Sequence, residues 1–404
     1  GKTITINAKG KAVIELKPEV RKAGGVYYTP QYVVDYIVKN TIGKLCENKT
    51  PTQVAEIKIV DPACGSGSFL LGAYQYLLNW HKDYYTQNPN KKNPLTPEGI
   101  LTTTEKKKIL LNNIYGVDID TNAVEVTKLS LLLKCMEGET QASIAHQMTM
   151  FKERVLPTLD ENIKSGNSLI DTDYYDNQLD FGEERKIKPF SWNAEFNTIL
   201  PKGFDAVIGN PPYIKERGSK EIFEPVLKSK IGKLYHQGKM DFWYYFVHRG
   251  IDILKPNGFL AFITNSYWMR SDGASKLIDR IEKEFTINTI VDFDNFKVFE
   301  DVSGKHNISI FTKGQNKKAN CKILSIDKQN PSSDIAEYKL LKISNENLFA
   351  NSKLNIQTSE NIFENCDLLD NHFDTSVGVQ ESTDKITRTQ KKKTKRTDIN
   401  IGDG

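Results

Sequence analysis

Cysteine is scarce in this chain, and the arrangement of the few that are present excludes several classes of protein. The five cysteines form no Cys-x-x-Cys pair, so neither a disulfide framework nor a zinc site is indicated, and no metal site is predicted. Such cysteine usage is typical of a reducing, cytoplasmic setting. Long apolar runs are absent too, and the mean hydropathy is -0.49. No membrane-spanning helix and no membrane partner are therefore expected.

Charge of one sign is not in large excess: 55 Lys and Arg stand against 51 Asp and Glu, and the formal net charge is +4. This balance allows nucleic-acid binding without indicating it. With 38% hydrophobic residues over 404 positions, the chain can bury a sizeable core, which excludes a mostly disordered protein and suggests two or three domains. It begins without Met and stops inside polar sequence, which we interpret as a fragment of a longer polypeptide.

Short apolar runs alternate with segments of helical spacing along most of the chain. Helices are predicted over residues 31–45, 69–80, 122–136 and 241–254, and strands over 57–60, 114–117, 204–208, 259–264, 287–293 and 307–311. Such alternation predicts an α/β fold with a mostly parallel sheet and helices on both faces. The last two strands are expected to be antiparallel. Residues 82–104 are rich in Asn, Pro, Thr and Lys and are predicted to form an exposed loop.

A glycine-rich turn follows the first predicted strand of this α/β region. Residues 61–68 read DPACGSGS, which differs from the G-x-G-x-x-G dinucleotide fingerprint, and no Gly-Lys-Ser/Thr follows as in a P-loop. Gly65 and Gly67 let a ligand approach the main chain closely, and the predicted helix after them offers N–H groups at its start. Taken alone, the turn could equally be a tight loop without a ligand.

Two carboxylates accompany this turn. Asp61 precedes the glycines, and Asp118 ends the next predicted strand, where an acid can accept hydrogen bonds from both hydroxyls of a ribose. A carboxylate beside the glycines would repel a pyrophosphate and suits a ligand with a positive part instead. S-adenosylmethionine carries a ribose, an α-amino group and a sulfonium, so the pair favours this cofactor over a nucleotide polyphosphate.

The tetrad Asn210-Pro211-Pro212-Tyr213 comes directly after another predicted strand. Two prolines make a stiff bend that lacks N–H donors, so the Asn210 amide oxygen and a proline carbonyl offer two acceptors for one –NH2 group. Tyr213 adds a flat face for stacking. Hydrogen bonds from both N–H groups of an aromatic amine free its nitrogen for attack on an activated methyl group. The alternative is a Pro-Pro turn with an Asn cap, but the glycine turn upstream favours the clamp.

With these motifs in this order, the chain resembles the amino-methylating DNA methyltransferases that act on adenine N6. The element GGVYYTP at residues 24–30 precedes the glycine turn, as the N-terminal cofactor motif of that family does. The resemblance covers residues 21–315 and is greatest to the methylase part of single-polypeptide type IIG restriction–modification enzymes. It implies a Rossmann-like S-adenosylmethionine-dependent methyltransferase fold, and a flipped-out adenine in duplex DNA as the substrate.

The resemblance also implies roles for individual residues. Asn210, Pro211, Pro212 and Tyr213 would be catalytic, and Tyr213 and Phe299 would stack on opposite faces of the flipped base. The residues that would bind the cofactor are Thr29, Pro30, Asp61, Ala63, Gly65, Gly67, Asp118, Ile119, Asn167 and Phe246. In this set the acid after the second strand would bind the ribose, and the isoleucine after it would pack on the cofactor's adenine. Asn167 stands where the family commonly has an acid. Phe246 and Phe299 could also be core residues.

The resemblance predicts that the chain is divided into three parts. An N-terminal arm would span residues 1–25 and a methyltransferase catalytic domain residues 26–315, and residues 316–404 would hold a linker and the truncated start of a target-recognition domain. The basic run at residues 391–396 could touch DNA phosphates, although such runs are more often solvated loops. Type IIG enzymes also carry a nuclease domain on the full-length polypeptide, for which the present sequence shows no convincing signature.

Two other functions stay open on the sequence. Methyltransferases acting on a protein glutamine or an RNA base also use Asn-Pro-Pro-Tyr, but they are usually shorter and lack the GGVYYTP element. A catalytically silent DNA-specificity fragment is the other alternative. Asn210 argues against cytosine N4 methylation, which usually has Ser at this position. The chain contains no Pro-Cys pair, which argues against cytosine C5 methylation.

Overall fold

The computed structural model describes most of the chain between residues 29 and 356, together with two short N-terminal strands. The described residues are 2–6, 12–16, 29–90, 94–139, 157–175, 187–294, 296–299, 304–326, 339–350 and 352–356. Residues 24–28 of the N-terminal motif and the basic run 391–396 lie outside them.

A large mixed sheet forms the centre of the described chain. The strands are β1 (Lys2–Ile6), β2 (Ala12–Leu16), β3 (Ile59–Asp61), β4 (Ile114–Asp118), β5 (Ile163–Ser165), β6 (Phe204–Gly209), β7 (Leu254–Asn265), β8 (Phe285–Asp292), β9 (His306–Lys313), β10 (Asn320–Ser325), β11 (Lys339–Ser344), β12 (Phe349–Ala350) and β13 (Lys353–Leu354). Nine of them form one sheet in the order β11-β10-β8-β9-β7-β6-β3-β4-β5. Strands β1 and β2 pair as an antiparallel hairpin, as do β12 and β13.

Helices connect most of the strands of this sheet. They are α1 (Gln31–Cys46), α2 (Pro51–Val54), α3 (Ser68–Gln87), α4 (Thr103–Asn113), α5 (Thr121–Met136), α6 (Trp192–Glu195), α7 (Lys220–Lys228), α8 (Lys230–Tyr235), α9 (Trp243–Ile253), α10 (Ser275–Glu284) and α11 (Asn345–Leu348). In α1, the buried Val34, Ile37, Val38 and Ile42 recur at spacings of three or four residues, which places them on one face. Within the described residues, no helix has both the length and the apolar character needed to cross a bilayer.

Helices cover both faces of the sheet, as the sequence predicts. In β7, Leu260 and Phe262 belong to the same buried cluster as residues of α9 and α10. Their neighbours Ala261 and Ile263 belong to a second cluster, which contains residues of α1, α3 and α5. Alternate side chains of a strand point to opposite faces, so each face has its own core. The predicted α/β class is therefore confirmed.

The late strands are antiparallel, also as predicted. β3, β4, β5, β6 and β7 pair in parallel, whereas β9 lies antiparallel between β7 and β8. The sheet does not stop at residue 315, where the sequence analysis ended the catalytic domain. β10 adds in parallel to β8, and β11 pairs antiparallel with β10. The assignment of the following residues to a target-recognition domain stays a prediction.

The loop predicted over residues 82–104 is wrong at both ends. Helix α3 continues to Gln87, and α4 already begins at Thr103. The helix extends past Trp80 because the side chains there pack: the Trp80 and Tyr84 rings stack with centroids 5.4 Å apart. His81 is buried, with Nδ1 2.8 Å from the carbonyl oxygen of Leu77. Polar composition alone does not reveal these contacts.

Asn345 connects the added strands to the rest of the sheet. Its side chain is buried, and Oδ1 accepts a 2.7 Å hydrogen bond from the Ile287 N–H. Nδ2 donates to the carbonyl oxygens of Ile287 and Ala319 at 3.0 and 2.9 Å. The β8–β9 register shifts between Ile287 and Thr289. The amide therefore satisfies main-chain groups of β8 beside this irregularity.

Asn345→Ala is expected to lower the free energy of unfolding by about 2 kcal/mol or more, because it leaves both polar groups of Ile287 buried without this partner. Urea denaturation of the variant and the wild type measures the difference. Asn347→Ala is the matched control, since Asn347 lies in the same short helix and is exposed. Equal destabilisation by the two substitutions would contradict the assigned role.

Candidate active site

The motif residues converge because three neighbouring parallel strands end at the same edge of the sheet. β3 lies between β6 and β4 and is parallel to both. It ends at Asp61, β4 ends at Asp118, and β6 ends at Gly209, directly before Asn210. Ligands of open α/β sheets bind beyond the carboxyl ends of the strands. The glycine turn, the second acid and the tetrad thus share one edge, although they are separated by tens of residues in the sequence.

The two glycines of the turn adopt left-handed backbone conformations. Gly65 has φ +52° and Gly67 has φ +84°, which a residue with a side chain adopts only with strain. A Cβ on Gly67 would meet the Thr127 side chain of α5 at 2.8 Å, whereas a Cβ on Gly65 would meet nothing within 4 Å. Gly67 is therefore required for packing, and Gly65 borders open space at the strand ends.

Asp61 is a buried carboxylate at the centre of this edge. Its Oδ1 accepts a 3.0 Å hydrogen bond from the Ala63 N–H. A Cβ added to Gly209 would lie 2.6 Å from the same oxygen, so only glycine allows β6 to approach so closely. Burial, with a smaller contribution from the nearby Asp118, raises the pKa of Asp61 to about 8, against the hydrogen bond from Ala63. The carboxyl group therefore holds its proton at neutral pH in the ligand-free protein.

Asp118 ties the glycine turn to strand β4. Its Oδ2 accepts a 2.8 Å hydrogen bond from the Gly65 N–H, and its Oδ1 accepts one of 2.9 Å from the Asp120 N–H. Burial raises the pKa of Asp118, while these two main-chain donors lower it. Each carboxylate oxygen can accept a second hydrogen bond. The predicted contact with a ribose is compatible with this geometry and stays a prediction.

Two further predicted cofactor residues flank Asp118. Ile119 follows it, and its large apolar side chain is 46% exposed. Asn167 follows β5, the strand next to β4, and its Oδ1 accepts a 3.1 Å hydrogen bond from the Leu169 N–H. The Gly166 N–H donates to the Asp118 carbonyl oxygen at 2.8 Å. Asn167 is thus close to the second acid along the edge, and its proposed cofactor contact stays a prediction.

The Asn210 side chain has a fixed orientation. Its Nδ2 donates to Thr29 Oγ1 at 3.1 Å, and the Tyr213 hydroxyl lies 2.5 Å from Oδ1. The same hydroxyl lies 2.9 Å from the carbonyl oxygen of Ile263, in β7. Since a phenol has one proton, it can serve only one of these acceptors at a time. Thr29, which was predicted as a cofactor contact, therefore also orients the tetrad, and Pro30 beside it is the N-cap residue of α1.

The two prolines of the tetrad lie between Asn210 and Tyr213 in the sequence. Pro211 is buried and Pro212 is half-buried. Among the described residues, no hydrogen bond is directed to the Pro211 carbonyl oxygen. The predicted use of this oxygen together with the Asn210 amide oxygen, as two acceptors for one amine, stays a prediction.

An aromatic cluster lies beside the tetrad. The Tyr213 and Phe299 ring centroids are 6.4 Å apart, and the rings are inclined by 67°. His306, at the start of β9, contacts both, with centroid distances of 5.6 Å to Tyr213 and 4.9 Å to Phe299. Burial lowers the pKa of His306 to about 4, so its ring is neutral at neutral pH. In this structure Phe299 is buried and its ring contacts that of Tyr213 edge-on, with no space for a base between them. The predicted stacking of the two rings on opposite faces of a base stays a prediction.

Phe246 lies on the buried face of α9, in the cluster against which Ala63 of the glycine turn packs. This placement is compatible with both interpretations offered by the sequence, a cofactor-pocket wall and a core residue.

Sequence reasoning missed several residues that hold this site together. These residues, Gly209, Thr127 and His306, belong to no recognised motif. Their importance follows only from their contacts in the structure, with Asp61, Gly67 and Tyr213 respectively. A small residue at the end of β6 was the one available signal, because glycine interrupts an otherwise bulky strand. The other two offered no signal in a single sequence.

Comparison with known proteins gives consistent matches. Residues 112–299 match the Eco57I restriction-modification methylase family. The type II restriction enzyme and methyltransferase RM.Eco57I of Escherichia coli is 33% identical over 281 residues, which are 68% of this chain and 26% of the relative. The type II methyltransferase M.HincII of Haemophilus influenzae is 31% identical over 184 residues, which are 44% of this chain and 36% of the relative.

A third relative, the adenine-specific methyltransferase PglX of Streptomyces coelicolor, is 25% identical over 227 residues, which are 54% of this chain and 17% of the relative. The chain thus spans between 17% and 36% of the length of these three relatives. The matches confirm the resemblance to methylases of restriction–modification systems that the motifs indicated.

Asp61→Asn is expected to stabilise the ligand-free protein, increasingly so as the pH rises. The folded protein keeps the Asp61 proton up to about pH 8, whereas an unfolded chain loses it near pH 4. Folding of the wild type therefore loses up to about 1.4 kcal/mol per pH unit between these values, and asparagine removes this loss. Urea denaturation at pH 6 and pH 8 measures the gap between variant and wild type.

The exposed Asp83→Asn is the control for this comparison and should leave the pH dependence unchanged. A gap that stays constant between pH 6 and pH 8 for Asp61→Asn would refute the raised pKa.

Proposed function

We propose that this chain is the methyltransferase part of a restriction–modification enzyme, and that it transfers a methyl group from S-adenosylmethionine to N6 of an adenine extruded from duplex DNA. The observation that carries the proposal is the contact between the two motifs: Asp61 Oδ1 lies against Gly209, the residue before Asn210. A ligand at the glycine turn and an amine at the tetrad would therefore be neighbours. The names of the matched relatives support the same chemistry.

The glycine-turn side of the edge fits S-adenosylmethionine. Gly65 borders open space, Ile119 offers an exposed apolar surface, and Asp61 and Asp118 supply two carboxylates. We assign the α-amino and sulfonium end to the Asp61 side and the ribose to Asp118, with Ile119 against the adenine. When bound, the cofactor would supply an electrophilic methyl carbon on a positively charged sulfur. Thr29, Pro30, Ala63, Gly67, Asn167 and Phe246 would complete the pocket.

The tetrad provides the acceptors for the amine. Thr29 holds the Asn210 amide nitrogen, so Oδ1 is directed to the opposite side of the group. Asn210 Oδ1 can accept two hydrogen bonds, so one position stays available for the substrate while the Tyr213 hydroxyl donates to the other. Oδ1 and the Pro211 carbonyl oxygen can then accept both N–H groups of one amine, which raises the nucleophilicity of its nitrogen. No strong base is required before attack, because the proton can leave afterwards to solvent.

The aromatic cluster would hold the extruded base. Flipping requires a few kcal/mol for unstacking and unpairing, and stacking on an aromatic ring returns about 1–3 kcal/mol per base. Tyr213 and Phe299 would offset much of this cost. His306 between them is neutral, so it would add no charge beside a positively charged methyl donor.

Duplex DNA is the partner that this proposal requires. The E. coli relative is named both as a restriction enzyme and as a methyltransferase. We therefore also propose a nuclease domain on the full-length polypeptide, and we assign the target-recognition domain to residues that follow the sheet.

Asn210→Ala is expected to reduce methyl transfer to duplex DNA by about 100-fold or more, because one of two preorganised acceptors is lost. Transfer is followed with tritium-labelled S-adenosylmethionine, and nucleoside analysis identifies the methylated base. Asn197→Ala is the matched control, since Asn197 is exposed and lies before β6. The same assay is run with RNA and protein substrates. Label found only in RNA or protein, or duplex labelling unaffected by Asn210→Ala, would refute the proposal.

Asp61→Asn is expected to weaken S-adenosylmethionine binding by about tenfold or more. Wild-type affinity should rise as the pH increases from 6 towards 8, by up to about tenfold per unit, because the ligand-free protein holds the Asp61 proton up to about pH 8 and binding of a cation must displace it. Isothermal titration calorimetry at several pH values measures both effects. The variant should show little of this rise, and Asp83→Asn should behave like the wild type. A variant that binds with wild-type affinity at every pH would remove Asp61 from the cofactor site.

A further inference from the structure

Asp241 belongs to none of the motifs discussed so far, yet its carboxylate contacts the chain that leaves the tetrad. We infer that Asp241 is a positioning residue: it fixes the main chain directly after Tyr213 between the end of β7 and the start of α9, and thereby sets the geometry of the amine clamp. The inference rests on the function proposed above for the tetrad.

The carboxylate of Asp241 bridges two segments that are distant in the sequence. It is 6% exposed. Oδ1 accepts a 3.1 Å hydrogen bond from the Ile214 N–H, and Oδ2 accepts one of 2.7 Å from Asn265 Nδ2. Ile214 follows the tetrad directly, and Asn265 is the last residue of β7. One side chain therefore joins the exit of the tetrad to the sheet edge.

Main-chain pairing reinforces this contact. The Phe242 N–H donates to the Ile214 carbonyl oxygen at 2.8 Å, and the Glu216 N–H donates to the Met240 carbonyl oxygen at 3.0 Å. Lys215 and Asp241 form an antiparallel bridge. Residues 214–216 thus pair with residues 240–242 as a short ladder. The Ile214 N–H donates to the Asp241 side chain rather than to a main-chain carbonyl oxygen of this ladder.

The end of β7 also contacts the tetrad itself. Ile263, two residues before Asn265, provides the carbonyl oxygen that lies 2.9 Å from the Tyr213 hydroxyl. In the β7–β9 register, Asn265 is opposite His306, whose ring contacts Tyr213. A shift of the segment after Tyr213 would therefore disturb the hydroxyl that neighbours Asn210 Oδ1. This is how Asp241 can act on the clamp without touching the substrate.

The same carboxylate lies at the start of α9. Trp243, the first residue of this helix, donates its main-chain N–H to Asp241, and this hydrogen bond lowers the pKa of the carboxyl group. Phe246, which we assign to the cofactor pocket, follows Trp243 in the same helix. Asp241 thus anchors the clamp to the element that carries part of the cofactor wall.

Protonation of Asp241 would weaken this arrangement. Burial raises the pKa of Asp241 to about 6, while Asn265, the Ile214 and Trp243 N–H groups and the charge of Lys215 lower it. Tyr244 also faces the carboxylate, and its own pKa is raised by burial and by Asp241. A proton on either oxygen turns an acceptor into a donor that faces N–H groups. The Ile214 anchor should therefore loosen as the pH falls through about 6.

Asp241→Asn is the first test, because it keeps the shape of the side chain and removes the acceptor that faces Asn265. Hydrogen–deuterium exchange of the amides of residues 213–216 in the ligand-free chain should become about tenfold faster or more than in the wild type. The kcat for methyl transfer should fall by about 10- to 100-fold, with the Kd for S-adenosylmethionine changed less than about twofold. In the wild type we expect kcat to fall as the pH drops below about 6, and this decrease should be absent in Asp241→Asn.

Asn265→Ala is the second variant, and it tests the same idea with the carboxylate still present. The hydrogen bond from Asn265 lowers the pKa of Asp241, so its removal should raise this pKa. The decrease of kcat at acid pH should then begin at a higher pH. A residue that only supports the fold would not change the pH at which kcat decreases. Asp83→Asn serves again as the control, and circular dichroism of each variant shows that it is folded.

The outcomes separate this inference from the proposed function. Unchanged amide exchange of residues 213–216 in Asp241→Asn would overturn the role of Asp241. So would an Asn265→Ala variant whose kcat decreases at the same acid pH as that of the wild type. If the wild type transfers no methyl group to DNA, the proposed function fails, and the exchange measurement still decides whether Asp241 anchors the segment after Tyr213.

Discussion

The close approach of β6 to the carboxylate of Asp61 is the constraint on which the candidate site depends. These two strands are adjacent and parallel, and the space between them at the edge is filled by a carboxyl group on one side and by a glycine hydrogen on the other. A side chain at Gly209 would separate the strands and the two motifs with them. The same closeness buries Asp61 and raises its pKa to about 8. The cofactor site that we propose would thus be formed at a cost to the ligand-free fold, which is a common relation between function and stability.

Around this centre, the tetrad is held from several directions by residues that come from separate parts of the chain. Thr29 precedes the first helix, Ile263 lies in β7, and Asp241 precedes α9, and each contacts a different atom group of the segment 210–214. Preorganised acceptors are effective because they need no rearrangement when charge develops. Two prolines alone make the bend stiff, but they do not determine where its oxygens point. The surrounding hydrogen bonds do so.

The sheet extends further than the motifs do. β10 and β11 continue it beyond the last element that the sequence analysis recognised, and Asn345 fastens them to β8. Their apolar pattern is weak because β11 lies at the sheet edge, where one side of a strand has no neighbour and alternation is less strictly required. Composition also misled the analysis at residues 82–87, for a different reason. Polar residues continue a helix when aromatic neighbours such as Trp80 and Tyr84 stack along it.

The sequence by itself determined the fold class, the order of the motifs and the nature of the chemistry that they suggest. Period and composition act locally, so strands, helices, the glycine turn and the Asn-Pro-Pro-Tyr bend can be recognised one at a time. Which residues would surround them depended on the tertiary structure. Thr29 and Asn210 are 181 positions apart, and Asp241 and Ile214 are 27 apart, so no local pattern joins them. Their contacts arise only when parallel strands bring distant ends to one edge, and this packing, together with burial, decides the orientation of the clamp and the charge of Asp61.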